Sequence, residues 1–229
     1  MTHLKDQAKE IETLVCFQLK QHWPDVNEEV IRDSIPAALL KIEKGFTGLP
    51  NKRYYRDKDV CFSPYMSVQW MIFLYRLSHA IYKNGGGITP KEADQVYYLN
   101  KMMHANDWFY AIDLPEHFLC EHPLGSVLGR AEYGDYLFVY QGTTVGGNRS
   151  NGNLYYPVLG DNVIMFANST ILGDSHIGNN VVVSAETYII NDNVPDNSIV
   201  FGKSPNLIIK TKTEVEIKAY TQHIWGWRS

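Results

Sequence analysis

The sequence predicts an α+β protein: an N-terminal all-helical domain over residues 1–106, a β-solenoid over 107–210, and a C-terminal tail over 211–229. Three observations carry this. Up to about residue 106, apolar residues recur at helical spacing between recognisable caps and stops. After about residue 107, Val, Ile, Gly, Asn, Asp and Thr replace the helix formers. In "LGDNVIMFANSTILGDSHIGNNVVVSAETYII", residues 159–190, an aliphatic side chain returns at every sixth position: Leu159, Met165, Ile171, Ile177, Val183 and Ile189. A helix repeats near 3.6 residues and a strand at 2, so a period of six belongs to neither.

The helices follow in order. "LKDQAKEIETLVCFQLKQHW" is amphipathic and stops before Pro24. "NEEVIRDSIPAALLKIEKG" is a second helix, perturbed at Pro36 and ended near Gly45. A polar and aromatic loop, "LPNKRYYRDKDVCFSP", comes next. Ser63 is expected to cap a third helix with Pro64 in its first turn, and Gly85-Gly86-Gly87 to end it. Its apolar stretch, residues 65–83, is interrupted by Gln69, Arg76 and His79, which fits a buried helix better than a membrane span. Thr89-Pro90-Lys91-Glu92 reads as a capping box opening a fourth helix.

The six-residue spacing extends upstream to Val127, Tyr133, Val139 and Val145. The fourth residue after the marker is small or β-branched in most repeats: Ala131, Thr143, Val163, Ser169, Ser175, Val181 and Thr187. So short a repeat cannot bury its own apolar face and must stack on its neighbours. Gly and Asn beside the markers supply tight corners. A β-sandwich would show alternation at period two instead. The register breaks once, where Val145 and Leu159 are separated by fourteen residues rather than twelve. The segment between, "VGGNRSNGNLYYPV", is polar and Gly/Asn-rich and is expected to be extruded as a loop.

Bulk properties exclude several classes. Of 229 residues, 45% are hydrophobic and 20% charged, with a net charge of −4. No basic block points to nucleic acid or to an anionic membrane. Cys16, Cys61 and Cys120 lack metal or redox spacing, and the amino terminus lacks a signal peptide's apolar core. A cytoplasmic location is the expectation.

Four segments carry a resemblance. "YQGTTVGG" is similar to Q-S-V-T-L-G-G, and "EHPLGSVLG" to D-H-x-x-G-x-x-x-G. "NVPDNSIVFGKSPNLIIK" is similar to V-P-x-x-S/T-x-x-x-G-x-P with one additional residue before Pro205, and "YRLSHAIYKNGG" to a Y-R-I-x-H segment. Together with the repeats they make the chain resemble the serine acetyltransferases of the hexapeptide-repeat acyltransferases over most of residues 55–210. The resemblance implies a left-handed parallel β-helix with three hexapeptides per coil. It also implies a homotrimer, or a dimer of trimers, with acetyl-CoA as co-substrate in the groove between subunits and no metal.

By the same resemblance His122 is the general base and Glu121 stands where the family has an aspartate. Asp113, in "AIDLPEH", matches the base's partner, although its interval to His122 is shorter by six residues. Gly147 matches the oxyanion glycine. Ala167 and Ala185 match small residues beside the pantetheine arm, and Lys203, in the closing turn, joins the coenzyme-binding set. Asp57 or Asp59 in "YYRDKD" matches an acidic substrate contact. The chain departs from the family in the extruded loop, where Tyr155-Tyr156-Pro157 stands in place of R-H-P. Tyrosine cannot form the charged fork that arginine makes with a carboxylate. The expected function is therefore acetyl-CoA-dependent O-acetyl transfer to a hydroxyl other than serine's, with a sugar or polysaccharide precursor preferred because tyrosines pack on sugar C–H faces. Serine O-acetylation, with Arg149 as the carboxylate partner, is the alternative. A zinc β-helix carbonic anhydrase using His117 and His122, or an inactive scaffold, are further readings.

Overall fold

A computed structural model describes residues 2–86 and 90–227. The chain divides into two compact units, Met1–Ala105 with Phe109–Ala111, and Asn106–Trp108 with Ile112–Ser229.

The first unit holds helices α1 (Thr2–Lys20), α2 (Glu28–Phe46), α3 (Ser67–Asn84) and α4 (Lys91–His104). Asn27 caps α2 by accepting the Glu29 N–H at 3.1 Å. Pro36 lies inside α2 without ending it. The buried face of Ile31, Ile35, Ala38, Leu39, Ile42 and Phe46 holds the helix together across the proline. In α3, residues 69–78 are buried throughout. Buried Gln69 is fully engaged: it accepts from the Ser63 N–H at 2.8 Å and donates to the Arg53 and Cys61 carbonyls at 2.9 and 3.2 Å. No described helix is long and apolar enough to cross a membrane.

Two helix starts differ from expectation. α3 begins at Ser67 behind Met66, because Ser63 is spent on a preceding turn in which its hydroxyl and carbonyl accept the N–H groups of Tyr65 and Met66. α4 starts behind Pro90, and the Thr89 half of the expected capping box lies outside the described residues. The loop between α2 and α3 carries a hairpin, Tyr55–Arg56 with Asp59–Val60. Asp57 and Lys58 form its tip at φ 54° and 69°, the left-handed pair that a tight hairpin requires.

The second unit is a parallel β-helix with three faces. The first face stacks Phe118–Cys120, Leu137–Val139, Val163–Met165, Val181–Val183 and Ser198–Lys203. The second stacks Asp107–Trp108, Val127–Leu128, Thr144–Gly146, Thr170–Leu172 and Tyr188–Ile190. The third stacks Glu132–Tyr133, Val158–Leu159, His176–Ile177 and Asn193–Val194. Ile164 pairs with Val182, eighteen residues on, which is three hexapeptides per coil.

The period-six markers from Val139 to Ile189 are buried, and so are Thr143, Val163, Ser169, Ser175, Val181 and Thr187. Each hexapeptide therefore sends two side chains inward. Interior hydroxyls cost nothing in lost hydration, because Thr143, Ser169 and Ser175 donate to the carbonyl three residues back at 2.7–2.9 Å. One marker and the length of the extruded loop need correcting. Val127 is 37% exposed and Leu128 is the inward residue, in register with Val145. Phe138 pairs with Ile164, twenty-six residues on instead of eighteen, so the extruded loop adds eight residues, not two. Val145 and Leu159 lie on consecutive faces, and six residues is the normal step between them.

One corner explains the recurrence of Gly-Asp/Asn pairs. Asp135 accepts the His117 N–H, Asp161 the Asp135 N–H, Asn179 the Asp161 N–H, and Asp196 the Asn179 N–H, all at 2.7–2.9 Å. The next residue in each coil, Tyr136, Asn162, Asn180 or Asn197, has φ between 54° and 60°. A Cβ on Gly160 would meet the Gly178 carbonyl carbon at 2.8 Å, so this column admits no side chain.

The tail is ordered structure. Asn206–Thr211 returns antiparallel on Ser198–Lys203. Helix α5 (Glu214–Trp225) opens on a capping box between Thr213 and Glu216. In the aromatic carboxy-terminal segment, Trp225 and Trp227 pack on Tyr136 of the solenoid.

Candidate active site

The corner between the first and second faces carries Glu121 and His122 of the expected catalytic set, together with Ala167 and Ala185 of the expected coenzyme-binding set. Its stacked columns follow from backbone bonds: Glu121 N–H to the Val139 carbonyl, Tyr140 to Met165, Phe166 to Val183, and Ser184 to Val200. Directly after that column come His122, Gln141, Ala167 and Ala185. Ala167 and Ala185 thus form a step of small residues on the coils stacked beyond His122, with the Glu186 N–H bonded to the Ala167 carbonyl at 3.0 Å. Ala167 is half-buried and Ala185 exposed, so neither fills the core.

His122 sits on an enlarged version of this corner. Six residues, 121–126, separate Phe118–Cys120 from Val127–Leu128, against four, 140–143, in the next coil. The Gly142 N–H bonds the Leu124 carbonyl, and Gly125 and Gly142 both have φ near 64–70°, so the two extra residues fall in the Glu121-His122-Pro123 segment. His122 has φ 49° and is exposed. Among the described residues no group hydrogen-bonds its imidazole, and Asp113, exposed on the segment entering the first coil, is not bonded to it.

Glu121 is engaged. The Tyr140 phenol donates to its Oε2 at 3.1 Å. Burial, with the Glu121 charge second, pushes the Tyr140 phenol up to about 12. Cys120, next in the chain, is buried and its thiol is pushed well up by that burial, so it supplies no thiolate nucleophile.

Gly147 lies at the following corner, across the Thr144–Gly146 strand. There the extra eight residues leave the coil as a hairpin, Asn148–Ser150 with Asn153–Tyr155, turning through Asn151 and Gly152 at positive φ. Gly147 is exposed, and its N–H bonds no described residue. A Cβ there would meet Tyr156 Cε1 at 2.8 Å and Leu154 Cδ1 at 3.0 Å, so the tyrosine ring lies directly against the glycine. Tyr156 remains 37% exposed. Arg149 is exposed in the hairpin, opposite Leu154, and Tyr155 pairs with Asn148. Lys203 ends the last first-face strand, paired with Tyr188 and exposed. Asp57 and Asp59 belong to the helical unit, at and beside the tip of its hairpin.

The expected residues therefore form two groups on one chain. Glu121, His122, Ala167 and Ala185 share one corner; Gly147, Arg149, Tyr155 and Tyr156 share the next.

His117 has a better-built environment than its sequence position suggested. Its Nδ1 lies 2.7 Å from Asp135 Oδ2, and its ring stacks on Tyr136 at 4.4 Å and 8°. Tyr136 in turn packs on Trp225 and Trp227. The Gly-Asp-Tyr corner and the tryptophan-rich tail were the signals that could have linked these residues. Among the described residues no three His, Cys, Asp or Glu side chains gather as metal ligands.

No family model matches the chain. It is similar to curated serine acetyltransferases: 29% identical over 110 residues to that of Synechocystis sp., covering 45% of this chain and 41% of that protein. Against that of Mycobacterium tuberculosis it is 28% identical over 100 residues, with 43% and 42% covered. The chain thus spans about two-fifths of the length of these relatives. Among solved structures, the serine acetyltransferase of Neisseria gonorrhoeae superposes with TM-score 0.65 at 22% identity, covering 84% of this chain and 74% of that one. The serine acetyltransferase of Brucella abortus in complex with coenzyme A gives TM-score 0.63 at 20% identity, over 86% and 80%. The chain is serine acetyltransferase-like, and the fold, helices followed by a hexapeptide-repeat parallel β-helix, is the one these proteins share.

Proposed function

We propose that the chain is an acetyl-CoA-dependent O-acetyltransferase in which His122 is the general base. The observation that carries this is the enlarged Glu121-His122-Pro123 corner standing beside the Ala167–Ala185 step. An alcohol attacks a thioester slowly while it keeps its proton, and an exposed imidazole takes that proton near neutral pH. His122 removes the hydroxyl proton as the oxygen adds to the acetyl carbonyl. The N–H of Gly147 is the donor for the oxyanion that develops. As the tetrahedral centre collapses, the carbon–sulfur bond breaks and His122 returns the proton to the departing thiol. Ala167 and Ala185 leave room for the coenzyme arm, and Lys203 is the cation on the coenzyme's side.

The two residue groups lie on different corners of one chain. They complement each other across an interface when copies assemble, which supports a homotrimer with its sites between neighbouring subunits. A brucellar neighbour was solved in complex with CoA, and another serine acetyltransferase with cysteine, which supports a coenzyme thioester and a small amino-acid acceptor here.

Serine leads as acceptor, because the relatives and structural neighbours are serine acetyltransferases. The preference for a sugar or polysaccharide precursor finds no support among them. One local feature keeps a neutral acceptor as the second reading: Tyr156, not a cation, lies against Gly147. Arg149, the arginine of the hairpin, is then the carboxylate partner that a serine site requires. Thiol release from acetyl-CoA, followed with serine and with a sugar panel, tests both. Saturable turnover with serine supports the first reading, turnover with sugars alone the second, and none with either removes the assignment.

A further inference from the structure

Tyr140 has no part in the chemistry above, yet it is the side chain that grips the turn carrying the base. Its phenol donates to Glu121 Oε2 at 3.1 Å. Its ring lies flat on Phe166, at 5.1 Å between centroids and 10° between planes, and Phe138 packs on it at 5.1 Å. Phe166 is backed in turn by Tyr220 of α5. The phenol oxygen is thus fixed by two coils and a helix. It keeps its proton throughout the neutral range, so it is always a donor.

His122 has no comparable support. Its backbone is in the left-handed region, and no described group bonds its imidazole. On its far side the turn is closed by Leu124 N–H to the His122 carbonyl at 2.7 Å, and by Ser126 N–H and Oγ to the Pro123 carbonyl. On its near side, among the described residues, only the Glu121 side chain ties the turn to the stacked coils beyond the backbone ladder. Its one side-chain bond to a described residue is made by Tyr140.

We infer that Tyr140 is a positioning residue: by holding the Glu121 carboxylate it fixes the Glu121-His122-Pro123 turn, and with it the base. The inference rests on the O-acetyltransferase reading for its kinetic consequence but not for its structural one. A hydrogen bond to a carboxylate is stronger than a neutral one, and a modest misplacement of a base is costly in rate.

Tyr140→Phe keeps the ring stack and removes only the hydroxyl. It is expected to lower kcat roughly five- to thirty-fold, with the KM for acetyl-CoA and the melting temperature unchanged. Glu121→Gln, which keeps an oxygen for the phenol, should retain more activity than Glu121→Ala. Adding Tyr140→Phe to Glu121→Ala should cost nothing further. The His122 imidazole resonances, observed by NMR without any substrate, should move alike in Tyr140→Phe and Glu121→Ala. Unmoved His122 resonances in Tyr140→Phe, or kinetic losses that add in the double variant, would overturn the inference. Failure of the wild type to release thiol with any acceptor would instead remove the O-acetyltransferase reading, and the NMR comparison would still decide whether Tyr140 holds the turn.

Discussion

The His117 imidazole is held on one nitrogen by Asp135 and on one face by Tyr136, whereas the His122 imidazole, five residues on, is held by nothing described. Orientation by a carboxylate is what a base is commonly given, so geometry alone would favour His117. Its partners argue otherwise: Asp135 belongs to the corner ladder and Tyr136 to the aromatic seat of the carboxy-terminal tryptophans. His117→Ala is therefore expected to lower the melting temperature and leave most turnover intact. His122→Ala should abolish most turnover while retaining acetyl-CoA affinity, since the imidazole works on the acceptor. Equal kinetic losses would refute the assignment. A third histidine offers a test by pH. Burial in α4 lowers the His104 pKa from 6.5, against a weaker opposing pull from Asn100. The unfolded chain then binds the proton at higher pH than the folded one, so stability falls as pH drops below about 6.5 towards the lower folded value. The wild-type melting temperature should decline through this window more than that of His104→Gln. His122 stands out as a candidate in the sequence because its motif is local, whereas the His117–Asp135 pair joins residues eighteen apart that meet only through coil stacking.

At the scale of elements, periodicity made the solenoid readable and also set its limits. Two inward residues per hexapeptide repeat faithfully wherever coils stack without insertion, and Leu159 to Ile189 shows this. The first coil is different. Leu128, not Val127, is in register with Val145, so the step from Leu128 to Tyr133 is one residue short of six, and the six-residue period alone does not reveal that shortening. The size of the extruded hairpin was misjudged for a related reason: a period of six marks faces but does not say how many faces separate two markers. The hairpin was recognisable as polar and Gly/Asn-rich, but nothing local showed that Tyr156 folds back on Gly147. That contact yields a prediction. Gly147→Ala puts a methyl group within 3.0 Å of Leu154 and the Tyr156 ring, so turnover should fall. If displacement of the ring is the cause, Tyr156→Ala in the same chain should make the alanine nearly harmless. If the two losses simply add, the methyl group acts on something other than the ring, such as Leu154 or the bound acetyl group.

For the whole molecule, the division of the site between two corners has a consequence for assembly. The Ala167–Ala185 step stands with His122, and Gly147 and Tyr156 occupy the next corner, beyond a strand on the order of 10 Å long at roughly 3.3 Å per residue. On the proposed reading, a single acetyl group does not reach both groups on one chain, and a second copy supplies the missing half. The active species is then expected to be a trimer or larger, and activity should fall with dilution as subunits separate. Ala167→Trp separates groove from core. Because Ala167 is half-buried on an outer corner, an indole there should project into the groove and leave the coil folded. Circular dichroism and melting temperature should stay near wild type while coenzyme affinity falls by at least tenfold. Mixing this variant with His122→Ala gives the sharpest check. A site that draws His122 and Ala167 from one chain, and Gly147 from its neighbour, gains nothing from mixing, because every site in the mixture contains one damaged corner. Recovery of activity on mixing would mean that the base and the coenzyme step come from different subunits, and the corner assignment would have to be redrawn.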